Sequence, residues 1–170
     1  MAQDKIFDAT AYFTALATRN RLARAEGFVP VTSSGIDELE GIIDGLRTHK
    51  AFVCIDDTGE TAYRQESGGW FARRVWTVHI LHRHKPGDMD DRARWLDVCR
   101  RVFRQLMSAI IADRYLGTTE GIWYVDLTQV LSREYPQQFI DGLTGLYFTL
   151  AADEPLDMTI NNDEWDDGND

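Results

Sequence analysis

Residues 70–116 constrain the fold more than any other part of the chain, because two long periodic runs stand there with a single break between them. WFARRVWTVHILHRH alternates at period two, with Arg74, Trp76, Val78 and Ile80 on one side and Arg73, Val75, Thr77, His79 and Leu81 on the other. Such alternation is the mark of a long β-strand. Lys85-Pro86-Gly87 ends it, since proline cannot continue a central strand. Asp88 is then placed to cap a helix whose first turn carries Asp90 and Asp91, the sign of charge a helix N-terminus favours. The helix is expected to run to about Tyr115 and to stop at Gly117. Its apolar positions (Trp95, Val98, Cys99, Val102, Phe103, Leu106, Met107, Ile110 and Ile111) cover more than one stripe. The polar stripe of Asp97, Arg101, Arg104 and Ser108 is thin. The pattern predicts a helix buried on most sides, with a sheet on one flank and another helix or subunit on the other.

The flanking segments complete the fold class. Residues 5–25 read as one amphipathic helix through Ile6, Ala9, Phe13, Leu16 and Ala17, stopped by Gly27. FVPVTSSG reads as a loop in which Ser33 or Ser34 caps a second helix, IDELEGIIDGLRTHK, with Ile36, Leu39, Ile43 and Leu46 on its apolar face. Gly41 and Gly45 weaken that helix by about 1 kcal/mol each relative to alanine. AFVCIDD, ETAYRQES and the long strand, separated by Asp57-Thr58-Gly59 and Gly68-Gly69, read as an antiparallel meander. Two further strands, GIWYVDLTQVLS and GLTGLYFTLAAD, flank a break at Tyr135-Pro136. The expected fold is α+β: a mixed or antiparallel sheet of about five strands packed against a long helix, with N-terminal helices. At 170 residues the chain suits one domain, assigned to 1–153, followed by a disordered acidic arm at 154–170.

The net charge of −10 is unevenly placed. Residues 134–170 hold ten acidic residues and no Lys or Arg, so the remainder is formally neutral. Within that neutral part, residues 73–104 carry nine basic and only four acidic residues. A positive middle and a negative end predict charge complementarity within or between copies of the chain. The candidate interface residues are Arg73, Arg74, Arg101 and Arg104 on the basic side, and Leu156, Ile160 and Trp165 on the arm. Nucleic acid is disfavoured as a partner, because the net negative field repels phosphate. No apolar run reaches the ~20 residues of a membrane span, and MAQDKIFDATAYF is not patterned as a signal peptide, so the expected place of folding is a cytoplasm. Cys54 and Cys99 each stand in an apolar run without metal or disulfide spacing and read as buried free thiols.

Catalytic and metal chemistry find little purchase in the sequence. His82 and His84 share one side of the long strand while His79 points to the other. Arg83 and Lys85 add positive charge, and only Asp88 and Asp90 lie near as oxygen ligands, so no metal is expected. No nucleophile elbow or phosphate-binding loop occurs, and Ser67-Gly68-Gly69 and Gly142-Leu143-Thr144-Gly145 lack dinucleotide-site spacing. The carboxylate pairs Asp56-Asp57 and Asp166-Asp167 read as a turn and as part of the arm. No cofactor and no catalytic residue are expected.

The order of elements over Ala51–Leu150, and above all HILHRHKPGDMDDRARWLDVCRRVF, resembles the small tail-completion (tail terminator-like) proteins of tailed bacteriophages and prophages. That resemblance implies a ring-shaped homo-oligomer at the head-proximal end of a tail tube, which stops tube growth and joins tail to head. It implies partners among copies of the chain itself and other tail or connector proteins. It also implies residence in the host-cell cytoplasm during assembly and then in the virion. The family brings no catalytic residues to carry over, and the second helix and the acidic arm depart from its usual pattern. Charge placement suggests that the arm docks on a neighbour's strand 71–82 or on its Arg92–Arg104 stripe. Two alternatives stand beside this reading. One is a monomeric adaptor or inhibitor-type module using the acidic arm; the other is a small enzyme with a pocket gathering His79, Asp126 or Asp141.

Overall fold

A computed structural model describes residues 7–136, 142–160 and 162–164. In chain order these form α1 (Ala9–Arg19), α2 (Arg21–Ala25), β1 (Phe28–Ser33), α3 (Ile36–Gly45), β2 (Ala51–Asp56), β3 (Glu60–Glu66), β4 (Gly69–Arg83), α4 (Met89–Leu116), β5 (Val125–Glu134) and β6 (Leu143–Leu156). Short 3-10 turns lie at Ile122–Tyr124 and Asn162–Glu164. The fold is α+β, with one six-stranded mixed sheet in the order β1-β2-β4-β6-β5 and β3 also paired to β4. Only β1 and β2 run parallel, joined through α3; every other pair is antiparallel.

The long alternating run becomes the central strand. β6 pairs along β4 from Trp70↔Leu156 to Arg83↔Leu143. The opposite edge of β4 is shared: β3 takes its first half, from Glu66↔Gly69 to Glu60↔Val75, and β2 its second, from Ile55↔Val78 to Ala51↔His82. The expected meander is therefore corrected. Asp57-Thr58-Gly59 does not reverse the chain but kinks one long arm of a hairpin, whose real turn is at Ser67-Gly68. The kink has a local cause. Asp56 accepts hydrogen bonds from the Thr58 amide (2.9 Å) and hydroxyl (2.6 Å), an Asx-type turn, and a Cβ at Gly59 would stand 2.3 Å from the Val75 carbonyl oxygen.

Three further expectations are corrected. FVPVTS is a strand rather than a loop; Pro30 is tolerated in β1 because that strand lies at the sheet edge. The N-terminal helix is split at Asn20, whose extended backbone (φ −71°, ψ 120°) ends α1 while its side chain caps α2 by accepting from the Ala23 amide at 2.9 Å. Ile6, assigned to that helix, lies outside the described residues. Gly35, not Ser33 or Ser34, precedes α3; the Ser34 hydroxyl donates instead to Asp57 at 2.7 Å.

The predicted limits of α4 hold at both ends. Asp88 accepts from the Asp91 amide at 2.9 Å, and Gly117 closes the helix in the left-handed conformation at φ 62°. One face of the sheet packs on α1 and α4. Trp76, Val78 and Ile80 of β4, Val53 and Ile55 of β2, and Leu146, Phe148 and Leu150 of β6 are buried there with Phe13, Leu16, Cys99, Val102, Leu106 and Ile110. A smaller cluster lies on the other face, where Leu39 and Ile43 of α3 cover Phe52, Cys54, Leu81, Leu143 and Tyr135. α4 is not buried on most sides: Ile111, Tyr115 and Leu116 are exposed.

Candidate interaction surface

Of the seven residues singled out from the sequence, Trp165 lies outside the described residues, and the other six fall on β4, on β6 and the residues just after it, and on α4. Arg73 and Arg74 are adjacent in β4 and so point to opposite faces. On the open face, Arg73 binds Asp126 of β5 at 2.8 Å and also Asp153 of β6, and Asp153 accepts a second guanidinium from Arg64 of β3. Four strands are thus tied by one line of alternating charge. Asp126 is held at about 2, below the ordinary carboxylate range, first by the Thr128 hydroxyl and then by Arg73. On the helix-covered face, Arg74 donates to Glu154 at 3.2 Å, and the buried Glu154 carboxylate also accepts the Phe7 amide at 2.6 Å. Glu154 therefore fastens the start of the N-terminal region to the end of β6.

These contacts correct the domain boundary placed before Glu154. Glu154, Pro155 and Leu156 belong to β6, with Leu156 opposite Trp70. Part of the charge complementarity read from the sequence is satisfied inside one chain. Ile160 and its neighbour Met158 are exposed, while Trp165 lies outside the described residues. The strand proposed as the arm's docking partner is excluded for backbone pairing along residues 71–75 and 78–82, since β4 is hydrogen-bonded on both edges there.

Much of the basic stripe at 92–104 is also committed within the chain. Arg92 donates to the Tyr135 carbonyl at 3.1 Å, Arg94 lies 4.8 Å over the Trp95 ring, and Arg100 forks onto Glu134 at 2.7 and 3.0 Å. Arg101 and Arg104 are left exposed on the outer side of α4, with no ion pair among the described residues. Beside them runs a groove of about 570 Å³ between the α1–α2 corner and α4. Leu16, Leu22 and Leu106 form its apolar lining, and Arg19 and Arg21 stand at its rim. Arg19 is anchored to Asp113 at 2.9 Å, and Asp113 also accepts the Tyr12 hydroxyl at 2.8 Å.

The histidines do not converge. His82 is buried, stacked 3.7 Å from the Trp95 ring, and His84 contacts the Lys85 carbonyl through Nδ1 at 3.0 Å. His79, on the far face as its position in the alternation requires, is hydrogen-bonded through Nδ1 to the Tyr135 hydroxyl and stands opposite Cys54 in the strand register. Burial pushes this imidazole down to about 4 and the Cys54 thiol up to about 11, so near neutral pH neither carries charge. A neutral thiol beside a neutral imidazole is poorly suited to nucleophilic chemistry. Cys99 is pushed further, to about 12, by the same cause. Asp126 faces Arg73 rather than His79, and Asp141 lies outside the described residues. Among the described residues no group of three or more His, Cys, Asp or Glu side chains is placed to hold a metal ion.

Sequence reasoning missed Asp126, Asp153 and Glu154 as the partners of Arg73 and Arg74, and Arg64 as a second cation on Asp153. The available signal was the end of the β6 alternation: two acids lying antiparallel to two arginines form cross-strand pairs of opposite charge once the register is known. The chain matches no protein-family model and no curated protein. Among the described residues no helix is long and apolar enough to cross a membrane.

Proposed function

We propose that this chain is a structural assembly subunit that closes into a homo-oligomer, in the manner of a tail-completion or tail terminator-like protein at a phage head–tail junction. One observation carries the reading. Ile111 (56% exposed), Tyr115 (90%), Leu116 (67%) and Trp123 (50%) gather large apolar surface at the end of α4 and in the 3-10 turn packed beside it. Single exposed hydrophobics are ordinary, but a concentration of this kind belongs to surfaces that are covered in the working assembly. The outer edges of β3 and β5 add further open backbone to the same body. The binding partners are then other copies of the chain and adjoining tail or connector proteins. The place of action is the host-cell cytoplasm during assembly and the virion afterwards, and no catalytic role is assigned.

The reading is tested by replacing Ile111 and Tyr115, one helical turn apart, with glutamate. Both side chains already face solvent, so the circular dichroism spectrum stays unchanged while the mass by light scattering falls to that of the 19.5 kDa monomer. An unchanged oligomer would remove this surface from the contact. A second reading, a monomeric adaptor that captures a basic partner, is favoured by the exposed Met158 and Ile160 on the acidic arm. It predicts a monomer at every concentration and capture of a cationic protein that is lost at high salt.

A further inference from the structure

We infer that the groove between the α1–α2 corner and α4 receives the acidic C-terminal segment, residues 157–170, of a second copy of this chain. The inference rests on the assembly reading and names the contact that would build it. Charge makes the first argument. The lining carries Arg19 and Arg21 and no Asp or Glu, and Arg24, Arg101 and Arg104 stand on the same helices. Arg21, Arg24, Arg101 and Arg104 are exposed there without an ion pair among the described residues. Residues 157–170 contain six acids and no Lys or Arg.

Shape and polarity agree with the charge. Leu16, Leu22 and Leu106 supply the apolar part of the groove's lining, beside Asn20, Gln105 and Ser108, and its volume of about 570 Å³ admits more than one large side chain. The segment offers Met158, Ile160 and Trp165 between its acids. A cationic rim around an apolar floor is the complement of that pattern.

Direction argues for a neighbour rather than the segment's own chain. Phe148 of β6 packs against Phe13 and Phe103, one helical turn from the groove residues Leu16 and Leu106. From Phe148 the strand runs on to Leu156, carrying the chain roughly 26 Å further along the sheet at a strand's rise per residue. The segment thus leaves the body at the end remote from its own groove. A contact from the tail of one copy to the helix layer of the next is heterologous, the kind that closes into a ring when the rotation permits.

The test is a charge swap in the full-length protein, read as mass against concentration by light scattering. One variant reverses the groove (Arg21→Glu, Arg101→Glu and Arg104→Glu) and another reverses the segment (Glu164→Lys, Asp166→Lys and Asp167→Lys). All six changes lie at exposed positions or beyond β6, and circular dichroism checks that each variant is folded. Each single variant is expected to need at least about tenfold higher concentration to associate, because like charges then meet at the contact. Their equimolar mixture forms a mixed complex, and the variant carrying both reversals self-associates again. A groove variant that assembles like the natural chain overturns the inference and leaves the assembly reading standing. So does a double variant that stays dissociated. Recovery in the double variant without complex formation in the mixture places the segment in its own groove and overturns the second copy as occupant. A natural chain that is monomeric at every concentration overturns the assembly reading itself.

Discussion

The two faces of the sheet are built on different principles. The face toward α1 and α4 is apolar along most of its length, from Trp76 through Ile80 in β4 and from Leu146 through Leu150 in β6. The opposite face is divided. Under α3 it is dry, with Phe52, Cys54 and Leu81 buried, but toward the β3–β4 hairpin it lies open and is tied by Arg64, Asp153, Arg73 and Asp126. A single strand crosses both regimes on that face, since Arg73 and Thr77 are only half-buried while His79 and Leu81 are covered. Burial of large side chains stabilises by kilocalories, whereas partly exposed ion pairs contribute about 1 kcal/mol or less. The fold is therefore held mainly from the helix side.

That contrast is broken most sharply by truncating neighbours on opposite faces. Phe148→Ala should cost about 3–5 kcal/mol in chemical denaturation, since Phe13 and Phe103 cannot refill its volume. Thr149→Ala, the next residue and on the open face, should stay within about 1 kcal/mol of the natural chain. Equal costs would show that the open face carries as much of the stability as the helix side.

Acid should act through the dry half of the divided face. His79 holds its imidazole near 4 in the fold against an ordinary value of 6.5. Above 6.5 both folded and unfolded chains keep it neutral, and the imidazole does not alter stability. Between 6.5 and 4 only the unfolded chain takes the proton, so stability falls with falling pH by about 3 kcal/mol in all and then levels off. The buried His82 is also shifted down and adds to the loss in the same direction. Unfolding midpoints for His79→Asn, measured from pH 7 to pH 4, should show a shallower decline than those of the natural chain. An identical slope would assign the acid sensitivity elsewhere.

Gly145→Ala probes how closely the central strands approach each other. An added Cβ would stand 2.0 Å from the Ile80 carbonyl oxygen, at a backbone φ of +151°, so the β4–β6 pair must part. The expected loss is about 1–3 kcal/mol. The smallest effect belongs to the open half: Arg73→Ala should cost about 0.5–1 kcal/mol at low salt and close to nothing near about 1 M salt. A loss that ignored salt would mean that Arg73 acts through packing of its aliphatic stem.

How far the sequence carried can be judged element by element. β4 and α4 were legible because period-two alternation, a proline break, an aspartate cap and a terminal glycine agree with one another over a long stretch. β1 was hidden by Pro30 and two serines, which speak for a loop until the strand is known to lie at an edge. Asp57-Thr58-Gly59 has turn composition but occurs as a kink, since composition specifies local bending and only pairing specifies reversal. The charged surface was partly legible. Arg101 and Arg104 are exposed, with no ion pair among the described residues, but Arg73 and Arg74 proved to be tied to acids some eighty residues away in sequence, which no local pattern reveals. The groove was not legible at all, because it depends on the break at Asn20 that ends α1 and starts α2.

The central claim, that this body is built to be covered by copies of itself, is most directly tested by the absolute mass of the full-length chain. Light scattering over a wide range of concentration and salt supplies it. The account predicts a species several times the 19.5 kDa monomer that dissociates as salt rises. A monomer at the highest concentration and lowest salt would contradict it, and the exposed apolar end of α4 would then need a different partner.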